Sequence, residues 1–350
     1  MLRNLRLSSI RLPAATHRLK AFPAQRKLSL RPFRLLQIAV TVGLIGFLYY
    51  RIGWQPVAQA FSGIVWWWVV AKILIGRASI LFVSLRWQLL LAEQGISLPI
   101  FLLVKRIWMG RFFNNFSVGK SGVDLFRVFG PWGMSLKKTA VGSSVVFDRY
   151  TGLIGLLVAL ALAGLVEHKL AKELGLELLP IFALAGAALL LLAVVTHRPF
   201  VWSRWLIARC PVNKASSIAE GILRSLLLYV ERRGTTLTAV AISVASRLVA
   251  AIGSYFGFLA LGVDVSFGTV LFISLLLNVI SMLPISINGW GIREGAFVLL
   301  YTQVGVGSAE ALSVALLDRV ISVLSSFVGG VLYMTHDTGY TTNPGAKPRC

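Results

Sequence analysis

Two arginines, Arg77 and Arg247, each sit near the middle of a long apolar run. A charge at bilayer depth costs about 2.5–3.5 kcal/mol on insertion scales, so such residues are expected to face a polar cavity or a partner, and to bind an anion. Lys72 and Arg86 flank Arg77 on the same run. Arg86 is expected close to the membrane surface, where its stem can snorkel. Two further stretches interrupt apolar runs with glycines and then place charge. The first runs from Asn115 through Gly119, Lys120, Gly122 and Asp124 to Arg127; the second runs from Pro284 through Asn288, Gly289, Gly291, Arg293 and Glu294 to Gly295. Pro284 lacks a backbone donor and ends a helix, and the glycines tolerate the turn that follows. A helix broken inside a membrane presents free N–H groups and the positive end of its dipole, which suits a phosphate or carboxylate. Finally, the doublets Asp148-Arg149 and Asp318-Arg319 follow short apolar triplets and are expected to begin late helices, as exchangeable ion pairs.

These features recur at a fixed interval. An ungapped shift of 170 residues superposes Arg77 on Arg247, Gly119 on Gly289, Asp124 on Glu294, Asp148 on Asp318 and Arg149 on Arg319. The whole chain holds only 13 acids, so these coincidences point to a duplicated unit rather than chance. Segment order then makes the Arg77 helix and the Arg247 helix run in opposite directions. The sequence therefore predicts two inverted-topology repeats, about 64–165 and 236–334, an architecture common in secondary transporters.

The elements that must position these residues are apolar helices. Hydrophobic residues make up 57% of the 350 and charged residues only 14%, well below the quarter typical of soluble domains. Apolar runs near 35–50, 64–92, 140–165, 178–196, 236–262, 266–284 and 312–334, with a more interrupted one at 98–117, approach the length that crosses a bilayer. The expected fold is an all-α integral membrane protein of about six to eight transmembrane segments. Six would span, while 98–139 and 266–311 would each form a helix pair or a re-entrant hairpin broken at glycine. Trp66, Trp67 and Trp68 would mark an interface. Gly253 and Gly257 fit a small-residue helix contact.

The formal net charge of +22 concentrates in polar stretches: the first 34 residues hold nine Lys or Arg and no acid, and 197–235 hold seven against Glu220 and Glu231. The positive-inside rule keeps such stretches cytoplasmic, with both termini, beside anionic headgroups. No nucleic-acid partner is expected. The arm 1–34 reads as a cytoplasmic basic arm or as a transit-type peptide, 335–350 as a cytoplasmic tail. Cys210 and Cys350 suggest neither a disulfide nor a metal site, and Cys350 lacks the three following residues that prenylation needs. The four histidines sit in polar arms or loops without ligand spacing. Gly119-Lys120-Ser121 lacks the spacing of a Walker phosphate loop. No catalytic set and no cofactor is expected.

At Arg86-Trp87, the Asn115–Arg127 stretch, Phe147-Asp148-Arg149, Leu283-Pro284 through Gly289-Trp290-Gly291-Ile292-Arg293-Glu294, and Leu317-Asp318-Arg319, the chain resembles the lysylphosphatidylglycerol synthase transmembrane-region family, also described as flippase-like membrane domains. The resemblance covers about residues 35–334. Val118 stands where the family commonly has proline and Val123 where it has a second glycine, which implies a less sharply broken first hairpin. The resemblance implies a domain of the bacterial cytoplasmic membrane associated with lipid translocation. In the aminoacyl-phospholipid synthases a soluble transferase domain follows this region; none is expected here. The expected partners are the bilayer, an anionic phospholipid or lipid-linked substrate, and in one reading a separate transferase. The function expected is a lipid or lipid-linked-intermediate translocase that binds its headgroup at Arg77 and Arg247. Three alternatives stand beside it: a non-catalytic subunit of a separate glycosyl- or aminoacyl-transferase, a membrane-embedded transferase using Asp148 or Glu294 as base, and a transporter of a small ion or amino acid.

Overall fold

A computed structural model describes residues 52–115, 122–129, 138–196, 232–282 and 288–335, with isolated positions at 43, 46, 47, 50, 229 and 286. Among the described residues every regular element is a helix. A short α1 (Trp54–Ser62) precedes the first repeat, which comprises α2 (Trp66–Glu93), α3 (Ile100–Asn114), α4 (Gly122–Phe129) and α5 (Lys138–Val166). After α6 (His168–Glu173) and the apolar α7 (Leu179–Thr196), the second repeat comprises α8 (Arg233–Ala260), α9 (Phe267–Ile280), α10 (Ile292–Gln303) and α11 (Ser308–Met334).

The duplication is now visible helix by helix. Adding 170 to the first residues of α4 and α5 gives the first residues of α10 and α11, and doing so for α2 and α3 lands three residues inside α8 and α9. The equivalent helices α2 and α8 pack side by side in opposite directions. Val65 N–H donates to the Ala260 carbonyl at 2.8 Å at one end. Lys72 Nζ donates to the Gly253 carbonyl at 2.9 Å further along. At the other end Thr235 Oγ1 donates to Glu93 Oε1 at 2.6 Å. Equivalent elements that run antiparallel define an inverted repeat, whichever side of the membrane is which.

Length separates spanning helices from hairpin arms. Among the described residues α2, α5, α8 and α11, of 27 to 29 residues, are long and apolar enough to cross a bilayer. At 1.5 Å per residue each reaches about 40 Å, more than a ~30 Å hydrocarbon core. The arms α3 and α9 hold 15 and 14 residues, about 21–23 Å, and α4 and α10 only 8 and 12, about 12–18 Å. The stretches 98–139 and 266–311, expected as a helix pair or a re-entrant hairpin, are therefore each made of two short arms, neither long enough to cross alone. The run at 35–50 lies almost wholly outside the described residues, as do the basic stretches and the tail.

The first arm of each hairpin also reaches across to the other repeat. Arm α3 of the first packs on α11 of the second, and arm α9 of the second packs on α5 of the first. Small residues permit these contacts, because lipid gives helices little hydrophobic reason to associate. A Cβ on Gly329 of α11 would run into the Trp108 backbone carbonyl of α3, and one on Gly155 of α5 would strike Ser243 of α8. Gly253 lies against Ile75 and Gly76 of α2, and Gly257 against Lys72 and Asp318, so the anticipated small-residue contact joins the two repeats. Trp66 and Trp67 stand exposed at the start of α2.

The α3–α11 contact carries a test. Gly329→Val is expected to lose about 1–3 kcal/mol through overpacking, read as a lower unfolding temperature in detergent. Gly142→Ala, whose Cβ meets open space, is expected to leave it unchanged or raised. Equal melting of both variants would contradict the packing.

Candidate functional site

Two buried charge cages lie near opposite ends of α2. In the first, Asp148 of α5 accepts from Arg86 Nε at 2.6 Å and from Arg127 Nη1 at 2.8 Å. Asp148 and Arg127 are 2% exposed, and Arg86 8%. Arg86 also donates through Nη1 to Ser243 of α8, and Gly152 leaves room for its guanidinium. The Arg127 guanidinium lies 4.0 Å over the Trp87 ring, whose Nε1 donates to Ser144. Beside them Arg149 Nε pairs with Asp124 at 2.5 Å on the more open flank of the cage.

The second cage repeats the first. Asp318 of α11 pairs with Lys72 of α2 and, at 3.5 Å, with Arg293 of α10. Arg319 pairs with Glu294 at 2.5 Å, the equivalent of Arg149 with Asp124. Glu294 also accepts from the Gly291 N–H at 2.8 Å, which caps the start of α10. Arg319 further lies 4.6 Å over Trp290 and donates to the Asn288 carbonyl at 3.3 Å. The bridging cations come from one helix, α2: Arg86 serves its own repeat, and Lys72, fourteen residues earlier, serves the other. That spacing separates the cages by about 21 Å along the axis.

Arg77 and Arg247 take equivalent places between the cages. Arg77 lies 4.6 Å over Trp108 of α3 and donates to Ser325 of α11. Arg247 donates to Asn278 of α9 at 3.2 Å, and Trp108 and Asn278 coincide under the 170-residue shift. Neither has a carboxylate within ion-pair distance among the described residues. They meet different helices, so they do not converge on one point.

The hairpin tips do converge. Asn114 Nδ2 at the end of α3 donates to Asn288 Oδ1 at 2.9 Å, Asn288 Nδ2 donates to Asn115 Oδ1 at 3.4 Å, and Asn115 Nδ2 donates to Ser326 of α11 at 2.6 Å. Asn288, Gly289 and Gly291 have φ of 48°, 76° and 81°, left-handed backbone that turns the chain sharply enough for α10 to start. Gly122 is the first residue of α4. Gly119 and Pro284 lie outside the described residues.

Two expectations are corrected. Arg86 does not snorkel to the surface; Asp148 and Ser243 hold it inside. The Asp-Arg doublets do not begin helices: Asp148 and Asp318 are each the eleventh residue of theirs, and each doublet residue pairs with a different partner. Asn114, Ser243, Ser326, Trp108 and Asn278 were not singled out as site residues. The last two could have been, because they occupy matched positions one helix beyond the paired arginines.

An inverted pair of four-helix units, each with a broken hairpin and a buried carboxylate cage, is the architecture of a polytopic membrane protein. The chain belongs to the lysylphosphatidylglycerol synthase TM region family, whose model matches residues 34–330. It is similar to a UPF0104 membrane protein of Pyrococcus horikoshii, 25% identical over 333 residues that cover 87% of this chain and 97% of the relative. It is also similar to one of Methanothermobacter thermautotrophicus, 22% identical over 324 residues, covering 85% and 90%.

The cage geometry makes a prediction. Asp148→Asn leaves buried Arg86 without a counter-charge and Arg127 with only Asp124 at 3.6 Å, and is expected to lose about 3–5 kcal/mol. Asp124→Asn, at the more exposed pair, is expected to lose about 1 kcal/mol or less. Thermal unfolding of the two variants in the same detergent measures the difference, and equal losses would contradict the assigned burial.

Proposed function

We propose that the chain is a translocase for an anionic lipid or lipid-linked intermediate. The carrying observation is the junction of the hairpin tips, where Asn114, Asn115, Asn288 and Ser326 form a polar contact between two inverted repeats. Polar residues inside a membrane protein are costly and tend to line substrate paths. A discontinuous helix within an inverted repeat is a recurrent way to build such a path. In this reading the headgroup passes between the tips while its acyl chains stay in lipid. Arg77 and Arg247 flank the junction as counter-charges, and rocking one repeat against the other exposes the path to each side in turn.

The same reading makes the residues around Asp148 and Asp318 binding and coupling groups rather than catalytic ones. The protein would act in the cytoplasmic membrane, with the basic stretches 1–34 and 197–235 and both termini on the cytoplasmic side.

The test uses proteoliposomes carrying fluorescent phosphatidylglycerol in both leaflets and an impermeant quencher outside. The wild-type chain is expected to bring inner-leaflet label to the quencher. The Arg77→Ala, Arg247→Ala double variant is expected to do so about tenfold more slowly or worse, as lost charge-assisted hydrogen bonds imply. Unchanged transfer in the double variant sinks the proposal. Product formation from an activated donor by the purified chain would favour a membrane-embedded transferase instead.

A further inference from the structure

We infer that the cage of the first repeat is a phosphate-binding site, formed by Arg127 and Arg247 beside Asp148. Both Asp148 oxygens are occupied by Arg86 and Arg127. Arg127 therefore spends only Nη1 on the carboxylate, and its Nε and Nη2 are buried with no hydrogen-bond partner. The Nε of Arg247 is in the same condition. Arg247 stands one helical turn beyond Ser243 on α8, the residue that accepts from Arg86, and this ties it to the cage. Three guanidinium nitrogens are thus left without an acceptor around one buried carboxylate. Each is expensive in a low-dielectric interior until an acceptor fills it.

Charge points the same way. Arg86, Arg127 and Arg149 pair with Asp148 and Asp124, and Arg247, one turn from Ser243, adds a second uncompensated positive charge among the described residues. The adjoining stretches 116–121 and 130–137 carry Lys120 and Lys137 and no acid, so neither can supply the missing anion. Counted by ion pairs alone each cage has one cation more than carboxylates, the second having Lys72, Arg293 and Arg319 against Asp318 and Glu294; the first is the one with Arg247 beside it. A guanidinium presents parallel donors that match two oxygens of a phosphate, and two such groups match a tetrahedral oxyanion better than a planar carboxylate. Trp87 fixes the plane of Arg127 from its other face. The half-exposed Arg149–Asp124 pair marks the flank by which an anion enters.

This site rests on the translocase reading only for the source of its phosphate, a lipid headgroup; the binding itself needs no transport. The experiment is thermal unfolding of the full chain in nanodiscs of phosphatidylcholine alone, with added phosphatidylglycerol, or with inorganic phosphate in the buffer. Phosphatidylglycerol is expected to raise the unfolding temperature. Arg127→Gln and Arg247→Gln are expected to weaken that effect roughly tenfold in the lipid concentration required, as loss of a charge-assisted contact implies. Arg127→Lys keeps the charge without the fork and is expected to recover part of it. Lys169→Gln, an exposed loss of the same charge, is expected to behave as wild type. If inorganic phosphate alone gives the arginine-dependent shift, the site stands and its ligand is the free anion. If neither phosphate source gives a shift that depends on Arg127 or Arg247, the site is refuted, including where the Gln variants fail to fold and Arg127→Lys folds but responds as wild type. Arginine-dependent binding without lipid transfer in proteoliposomes would instead count against the translocase reading alone.

Discussion

The antiparallel contact between α2 and α8 holds the molecule together, because it is where one repeat meets its own inverted copy. Apolar surface cannot drive that association in lipid, where helix faces are already solvated by acyl chains. Close approach over Gly253 and Gly257 and polar bridging do so instead. The approach brings Lys72 to the Gly253 carbonyl and to Asp318, and Arg86 to Ser243. One helix thereby neutralises a carboxylate in each repeat. A side chain larger than glycine at 257 would have to displace the Lys72 ammonium, so packing and charge compensation are one constraint.

With α2 and α8 back to back, the first arm of each hairpin reaches the last helix of the opposite repeat, α3 on α11 and α9 on α5, while the second arms α4 and α10 pack on the last helix of their own. The broken ends are thus carried inward and meet at Asn114, Asn115 and Asn288. Irregular backbone at membrane depth is tolerable only where protein or a polar cavity covers its N–H and carbonyl groups. The asparagine junction and the Glu294 cap on Gly291 supply part of that cover. A path through this junction would use a region where polar backbone is already sheltered.

The buried ion pairs make the interior polar without making it neutral. A carboxylate and guanidinium taken from water repay their desolvation only with close geometry and further hydrogen bonds, which Asp148 and Glu294 both have. The cation that α2 lends is a guanidinium, Arg86, in one cage and an ammonium, Lys72, in the other, so the two cages are chemically different although their backbones correspond.

The sequence by itself determined the membrane class, the duplication at 170 residues and the paired charges, because each depends on local composition and spacing. Apolar runs, glycines and rare acids are legible wherever they stand. It also located both glycine-broken stretches, and left open whether each was a helix pair or a re-entrant hairpin, because arm length depends on where each helix ends. Partners belonged to the tertiary structure. Arg86 read as a snorkelling surface residue because its position near the end of a run suggested water, and only the placement of α5 and α8 showed Asp148 and Ser243 waiting for it. The Asp-Arg doublets read as self-contained pairs. In a helix, however, adjacent residues point about 100° apart, so their partners had to come from other helices. Arg77 and Arg247, matched in sequence, were separated by the fold onto different helix faces, because an inverted repeat relates equivalent residues by a two-fold axis and need not bring them together.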